Sequence, residues 1–353
     1  MNKHKFPYDW KIANGFPAKG IEYHGKTVFG CFVCGGGSSF GYKLAGFKHL
    51  GGVEIDAKIA KCYKENHGPQ YLFVEDIRDF NKRKDLPKEL YNLDILDGSP
   101  PCSSFSMSGN REKDWGKEKV FSEGQELQRL DDLVFEYIKT IEKLKPKAAI
   151  LENVKGLIQG NAKAYAKEIK LRFEKAGYRV QLFLLNAATM GVPQRRERVF
   201  FVGLRNDYDL MPLNLNFNEK PILFSEVEDL SDTTESTKST EKEKLYPKAK
   251  QGESFSKSHP KGNYFNSYKI SKGEVCPTVI AHLDSFIWHY KTMRHLNKSE
   301  LCKIGTYPSD YNFLDSKPKY LIGMSVPPIM TAQISHQIYF QWLRILDNKK
   351  PSI

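Results

Sequence analysis

The chain has 353 residues, of which 40% are hydrophobic and 27% charged, a balance typical of globular proteins and unlike disordered or fibrous chains. Its formal net charge of +12 favours a polyanionic partner such as nucleic acid. No apolar run approaches the roughly 18 residues of a membrane span, and the charged first ten residues predict no secretory signal.

The six cysteines are spaced irregularly along a long chain, so we expect reduced thiols rather than a disulfide framework. Cys31 and Cys34 have the spacing of one half of a zinc site, but no second pair follows at a matching distance. We therefore expect no metal site.

Short apolar strands alternate with longer amphipathic helices in the first part of the chain. The predicted strands are 28–33, 52–55, 71–74, 93–96, 148–151, 180–186 and 199–204, and the predicted helices are 40–47, 57–66, 127–144 and 165–176. Such alternation predicts an α/β fold with a doubly wound, mostly parallel sheet. Ligands of these sheets bind at the carboxyl ends of the strands.

The composition and patterning of the sequence change after about residue 205. A polar, low-complexity stretch over 231–244 predicts a flexible loop, and short strands are predicted over 276–281 and 286–290. We therefore predict a large domain formed by residues 1–205 and 318–353, and a smaller domain over 206–317.

Three polar motifs come directly after predicted strands. The first is Gly98-Ser-Pro-Pro-Cys102, in which two prolines restrict the turn that carries the thiol, as suits a nucleophile held for attack. The second is Glu152-Asn-Val, and the third is Gln194-Arg-Arg-Glu-Arg198. Taken singly, each has an ordinary alternative: a buried structural cysteine, a capping carboxylate, or arginines that are solvated or bind phosphate.

In this order and spacing, the motifs resemble those of the 5-cytosine DNA methyltransferases over nearly the whole chain. The resemblance implies a Rossmann-like fold that binds S-adenosylmethionine, with a target-recognition domain over 206–317. It implies four catalytic residues: Cys102, Glu152, Arg196 and Arg198. It implies that the cofactor is bound by Phe32, Gly36, Gly37, Glu54, Ile55, Asp76, Ile77, Pro100 and Ser325.

The same resemblance implies a reaction. Cys102 would add to carbon 6 of a cytosine that is flipped out of the duplex, and carbon 5 would then accept the methyl group. Glu152 would bind the ring nitrogen and amine, while Arg196 and Arg198 organise the site and one of them reaches the base carbonyl. The implied partner is double-stranded DNA, bound by a monomer in the cytoplasm at the nucleoid, with a possible cognate restriction endonuclease acting separately.

The sequence departs from the family pattern at Cys34, which replaces a glycine of the cofactor loop, and at Ser103 and Met324. Two other interpretations therefore stay open. One is a tRNA cytosine-5 methyltransferase built on the same scaffold, and the other is a catalytically silent relative that binds DNA. A nicotinamide dehydrogenase would explain the glycine-rich loop but gives no role to the Pro-Pro-Cys or Gln-x-Arg-x-Arg motifs.

Overall fold

A seven-stranded sheet lies at the centre of the protein. The computed structural model describes residues 4–101, 132–160, 162–231, 235, 240–282 and 285–348, together with the backbone of 118–119 and 128–129. The strands of the sheet are labelled β1 to β7 in chain order: Thr27–Cys31, Lys48–Val53, Tyr71–Phe73, Ile95–Gly98, Ala148–Val154, Tyr178–Asn186 and Glu197–Arg205.

The order of strands across the sheet is β3-β2-β1-β4-β5-β7-β6. Six strands share one direction, whereas β7 lies between β5 and β6 and is antiparallel to both. The predicted doubly wound, mostly parallel α/β sheet is confirmed. The order reverses between β1 and β4, and in open sheets such a switch point leaves a crevice at the carboxyl ends where ligands bind.

The helices, labelled α1 to α11, are Gly37–Leu44, Ala57–His67, Ile77–Lys82, Leu133–Leu144, Ala162–Lys175, Phe224–Val227, Glu241–Leu245, Lys298–Gly305, Pro318–Met324, Pro328–Ile338 and Arg344–Asn348. The predicted helix over 127–144 is wrong at its start, because Gln128–Arg129 is extended and pairs with Glu118–Lys119. Among the described residues, no helix is both long and apolar enough to cross a membrane.

Alternate residues of the central strands enter two separate hydrophobic cores. On one face, Val28 and Phe200 pack with α1 and α10. On the other, Phe29 and Phe201 pack with α3, α4 and α5. Because side chains alternate across a strand, burial on both faces requires the nearly continuous apolar runs seen in the sequence. The polar side chains at the strand ends are therefore held on a rigid base.

The region from 206 to 317 contains much shorter elements. Glu253–Ser254, Tyr268–Lys269 and Ile287–Trp288 form a three-stranded sheet around the buried Trp288, and Cys276–Pro277 pairs with Gln194–Arg195. Each of the two strands predicted here is thus present over only two residues. Residues 232–234 and 236–239 of the stretch 231–244 lie outside the described residues, but its end belongs to α7, which begins with a capping box between Thr240 and Glu243.

Candidate active site at the strand ends

Glu152 and Arg198 form a buried ion pair across two neighbouring strands. In the antiparallel register of β5 and β7, Arg198 lies opposite Val154 and Glu152 lies opposite Phe200, so the two side chains are diagonal neighbours on one face. Arg198 Nε lies 3.0 Å from Glu152 Oε1, and the two side chains are 15% and 11% exposed. Burial lowers the pKa of Arg198, and the adjacent Glu152 opposes this shift. The pair therefore presents an oriented carboxylate at the end of the sheet.

Arg196 binds backbone carbonyls of two other segments. Its Nη1 donates to the carbonyl of Val279 at 3.1 Å and its Nη2 to that of Gly323 at 3.0 Å. Burial, followed by the charge of Arg198, lowers the pKa of Arg196 to about 9, so it stays protonated at neutral pH. Arg196 thus connects the region 206–317 and α9 to the strand that carries Arg198.

Gln194 supports the same connection. Its side-chain carbonyl accepts the Val279 N–H at 3.0 Å, and its amide donates to the Ile304 carbonyl at 3.3 Å. Gln194 was not among the predicted site residues, although residues 194, 196 and 198 share the alternation that places side chains on one face of a strand.

Cys102 lies outside the described residues, but the turn that leads to it begins beside Glu152. Pro100 is buried at the end of β4, which is the neighbour of β5. The Asn153 amide donates to the Pro100 carbonyl at 3.2 Å. The residue next to Glu152 therefore fixes the start of the segment 100–102.

The loop between β1 and α1 has an unusual backbone. Phe32, Cys34 and Gly36 have φ values of 60°, 47° and 79°, in the left-handed region that side chains disfavour. Cys34 therefore adopts a left-handed conformation that favours glycine, at a cost of about 1–3 kcal/mol. A Cβ on Gly37 would lie 2.2 Å from the Val326 carbonyl oxygen, so a side chain there would collide with backbone.

Glu54, directly after β2, binds the backbone of this loop. Its two carboxylate oxygens accept the N–H groups of Cys34 at 2.9 Å and Asp56 at 3.0 Å. Burial raises the pKa of Glu54. A carboxylate oxygen has two lone pairs, so each can still accept a hydrogen bond from a ligand.

The other predicted cofactor residues lie on neighbouring strand ends. Ile55 is half-buried after β2, and Asp76 accepts the Arg78 N–H at 2.8 Å as the N-cap of α3. Ile77 is buried in the core with α4 and α5. Ser325 follows α9, where its hydroxyl lies 2.5 Å from Tyr307 Oη. The sheet thus brings the residues predicted from β1 to β4 to one edge.

A buried carboxylate in β4, that of Asp97, was not among the predicted site residues. Asp97 is 7% exposed and accepts a 3.0 Å hydrogen bond from Tyr42 Oη of α1. Burial raises the pKa of Asp97 to about 7. The available signal was a carboxylate at the end of an apolar strand, directly before the Gly-Ser-Pro-Pro-Cys motif.

The sheet order, the glycine-rich loop after β1 and the carboxylate–arginine pair at the strand ends define a Rossmann-like methyltransferase fold. A solved structure described as a DNA modification methyltransferase encoded within an E. coli prophage has the same fold, with a TM-score of 0.67 at 18% identity, over 90% of this chain and 99% of its own.

The family of C-5 cytosine-specific DNA methylases matches residues 28–340, and the chain belongs to this family. It is 34% identical to the Type II methyltransferase M.FnuDI of Fusobacterium nucleatum over 57% of this chain. It is 26% identical to the Type II methyltransferase M1.HphI of Haemophilus parahaemolyticus over 88% of this chain. The chain spans about half the length of the first relative, 54%, and 86% of the second.

Proposed function

We propose that the protein methylates carbon 5 of cytosine in double-stranded DNA, with S-adenosylmethionine as the methyl donor. The observation that carries the proposal is the buried Glu152–Arg198 pair beside the start of the Pro-Pro-Cys turn. The membership of the chain in the methylase family supports the same conclusion. Because M.FnuDI and M1.HphI are Type II methyltransferases, we further propose that the protein acts within a restriction–modification system whose endonuclease is a separate protein.

The residues at the edge formed by β1, β2 and β3 fit S-adenosylmethionine. Glu54 offers free carboxylate lone pairs to ribose hydroxyls, and Asp76 offers a carboxylate to an amine. Phe32 and Ile55 are only partly buried and offer apolar surface to an adenine ring. Gly36, Gly37, Ile77, Pro100 and Ser325 complete the proposed set. When bound, the cofactor supplies an electrophilic methyl group.

The proposed chemistry begins with the Cys102 thiolate. Its sulfur forms a bond to carbon 6 of cytosine, and the electrons of the 5,6 double bond become available at carbon 5. The Glu152 carboxyl group accepts from the exocyclic amine and, in the step that carries a proton to the base, donates it to the ring nitrogen, which stabilises the electron-rich ring. Arg198 holds the carboxyl group in place and directs positive charge towards the base carbonyl. After methyl transfer, loss of the carbon 5 proton to solvent and departure of Cys102 restore the ring.

A base within a duplex cannot reach Glu152 at the strand end, so the target cytosine has to leave the stack, at a cost of a few kcal/mol. We propose that the region 206–317 binds the DNA around it. This region contains many exposed lysines, including Lys244, Lys248, Lys250 and Lys261, which suit phosphate contacts.

One turn of this region displays an aromatic ring to solvent. Phe265 is 54% exposed, although the buried Ser254 hydroxyl fixes its backbone by donating to its carbonyl at 2.8 Å. The next residue, Asn266, lines a cavity of about 160 Å³ together with Val279, whose carbonyl binds Arg196. The turn that carries Phe265 and the segment that contains Val279 therefore border the same small cavity. At this position, the exposed ring of Phe265 can stack on an exposed base.

We expect Phe265→Ala to raise the KM for duplex DNA about tenfold, because an aromatic contact with a base is worth about 1–3 kcal/mol. The KM for S-adenosylmethionine should not change. The matched control is Tyr91→Ala, which removes a 46% exposed aromatic side chain outside the region 206–317, before the amino end of β4. Steady-state kinetics with both substrates would measure these values, and a wild-type DNA KM in Phe265→Ala would contradict the assignment.

The test of the proposed function compares methyl transfer into unmethylated duplex DNA and into tRNA, followed by identification of the methylated base. Transfer to DNA with 5-methylcytosine as the product supports the proposal. Transfer to tRNA alone favours the RNA enzyme, and binding of DNA without transfer to either substrate favours the silent relative.

A further inference from the structure

The first 26 residues precede both β1 and the part of the chain that the methylase family matches. This N-terminal segment (residues 4–26) is nevertheless packed firmly onto the protein. Phe6 is fully buried and Trp10 is 5% exposed. None of the proposed catalytic or cofactor residues lies in this segment, so its packing needs a separate explanation.

Trp10 contacts two elements that border the cofactor loop. Its indole Nε1 donates to the Thr306 carbonyl at 2.9 Å, just after α8. Its ring meets the ring of Phe40 edge to face, with centroids 5.3 Å apart. Phe40 belongs to α1, which begins at Gly37 directly after the cofactor loop.

Residues 306–311, which Trp10 contacts through Thr306, in turn support the cofactor loop. Tyr311 Oη donates to the Gly35 carbonyl at 2.9 Å, and Tyr307 Oη lies 2.5 Å from Ser325 Oγ. A Cβ on Gly35 would lie 3.0 Å from Tyr307 Oη and 3.3 Å from Tyr311 Oη. The backbone of the loop therefore rests directly on two tyrosine hydroxyls.

The N-terminal segment has a second attachment to the same region. The Asp310 carboxylate accepts the Ile12 N–H at 2.7 Å and the Ala13 N–H at 3.0 Å. Thr306, between α8 and the tyrosines, has a φ of 54°, a conformation that persists only where its surroundings hold it. Trp10 and Asp310 provide such restraints at the two ends of residues 306–310.

We propose that the N-terminal segment is a positioning element of the cofactor site. Trp10 and Asp310 fix the segment 306–311, and its two tyrosines then fix the left-handed backbone of the cofactor loop. The proposal rests on S-adenosylmethionine as the cofactor. If the loop samples other conformations when the restraint is lost, the apparent affinity falls by the fraction of time spent in the competent one.

The test is Trp10→Phe, which keeps an aromatic ring but removes the indole donor. We expect its Kd for S-adenosylmethionine, measured by equilibrium dialysis without DNA, to rise about threefold to tenfold. The matched control is Trp342→Phe, because Trp342 is also buried and donates its Nε1 to a carbonyl, that of Met211, at 2.9 Å. The control should lose similar thermal stability and keep the wild-type Kd.

A second readout needs no cofactor. Amide hydrogen exchange at Gly35–Gly37 should be faster in Trp10→Phe than in Trp342→Phe. If Trp10→Phe does not fold, Asp310→Ala decides the matter, since Asp310 is exposed and its replacement removes only the attachment to Ile12 and Ala13. Wild-type affinity and exchange in the folded variant would overturn the positioning role, whereas a wild-type protein that does not bind S-adenosylmethionine would instead refute the proposed cofactor.

Discussion

Glu152→Gln is expected to lower kcat for DNA methylation by about 100-fold or more while leaving the fold intact. Glutamine has the same size and can still accept the hydrogen bond from Arg198. It cannot give a proton to the cytosine ring nitrogen, and a positioned general acid typically contributes about 10²–10⁴-fold to a rate. Single-turnover methyl transfer at saturating cofactor and DNA measures this loss without interference from product release.

The matched control is Glu197→Gln, at the position next to Arg198 on β7. Glu197 pairs with Lys155 at 2.8 Å, and the two side chains are 43% and 33% exposed, so its charge is solvated. We expect this variant to keep nearly wild-type kcat. Equal activity of the Glu152→Gln variant and the wild type would remove Glu152 from the chemistry.

Arg294→Met is expected to destabilise the protein by about 3–5 kcal/mol. Arg294 donates to both carboxylate oxygens of Glu300, at 2.8 and 2.9 Å, and the two side chains are 5% and 0% exposed. Without Arg294, the buried Glu300 carboxylate loses its counter-ion. Urea unfolding followed by tryptophan fluorescence would report the loss, since Trp288 lies in the same region.

Two further variants test whether the unpaired buried charge causes this loss of stability. Lys170→Met breaks an exposed pair with Glu174 on α5 and should cost no more than about 0.5 kcal/mol. Arg294→Met combined with Glu300→Met should be more stable than Arg294→Met alone, because the uncompensated buried charge is gone. A loss below about 1 kcal/mol in Arg294→Met would mean that water reaches Glu300.

The alternation of strands and helices was sufficient to predict the doubly wound sheet and the strand ends that carry Glu152 and Pro100. The sequence could not show that β7 lies between β5 and β6, because strand order depends on long-range pairing. That insertion determines which arginine meets the carboxylate. Arg196 and Arg198 are two residues apart and equivalent in the motif, yet only Arg198 lies against Glu152.

Contacts between distant parts of the chain could likewise not be predicted from the sequence. Nothing in the local pattern around Trp10 indicates that its indole meets Thr306, or that Tyr311 supports Gly35. The predicted helix over 127–144 was wrong at its start for a related reason, because pairing of Gln128–Arg129 with Glu118–Lys119 overrides helical spacing there. The motifs therefore predicted which candidate residues lie at the strand ends. Tertiary pairing determined which partner each of these side chains contacts.

The most direct measurement is transfer of label from methyl-labelled S-adenosylmethionine to unmethylated duplex DNA by wild type and Cys102→Ala, assayed together. We expect label in 5-methylcytosine with wild type and none with Cys102→Ala, while both proteins bind the cofactor equally. Full transfer by Cys102→Ala would contradict the covalent mechanism, and failure of the cofactor-bound wild type to label DNA would contradict the proposed substrate.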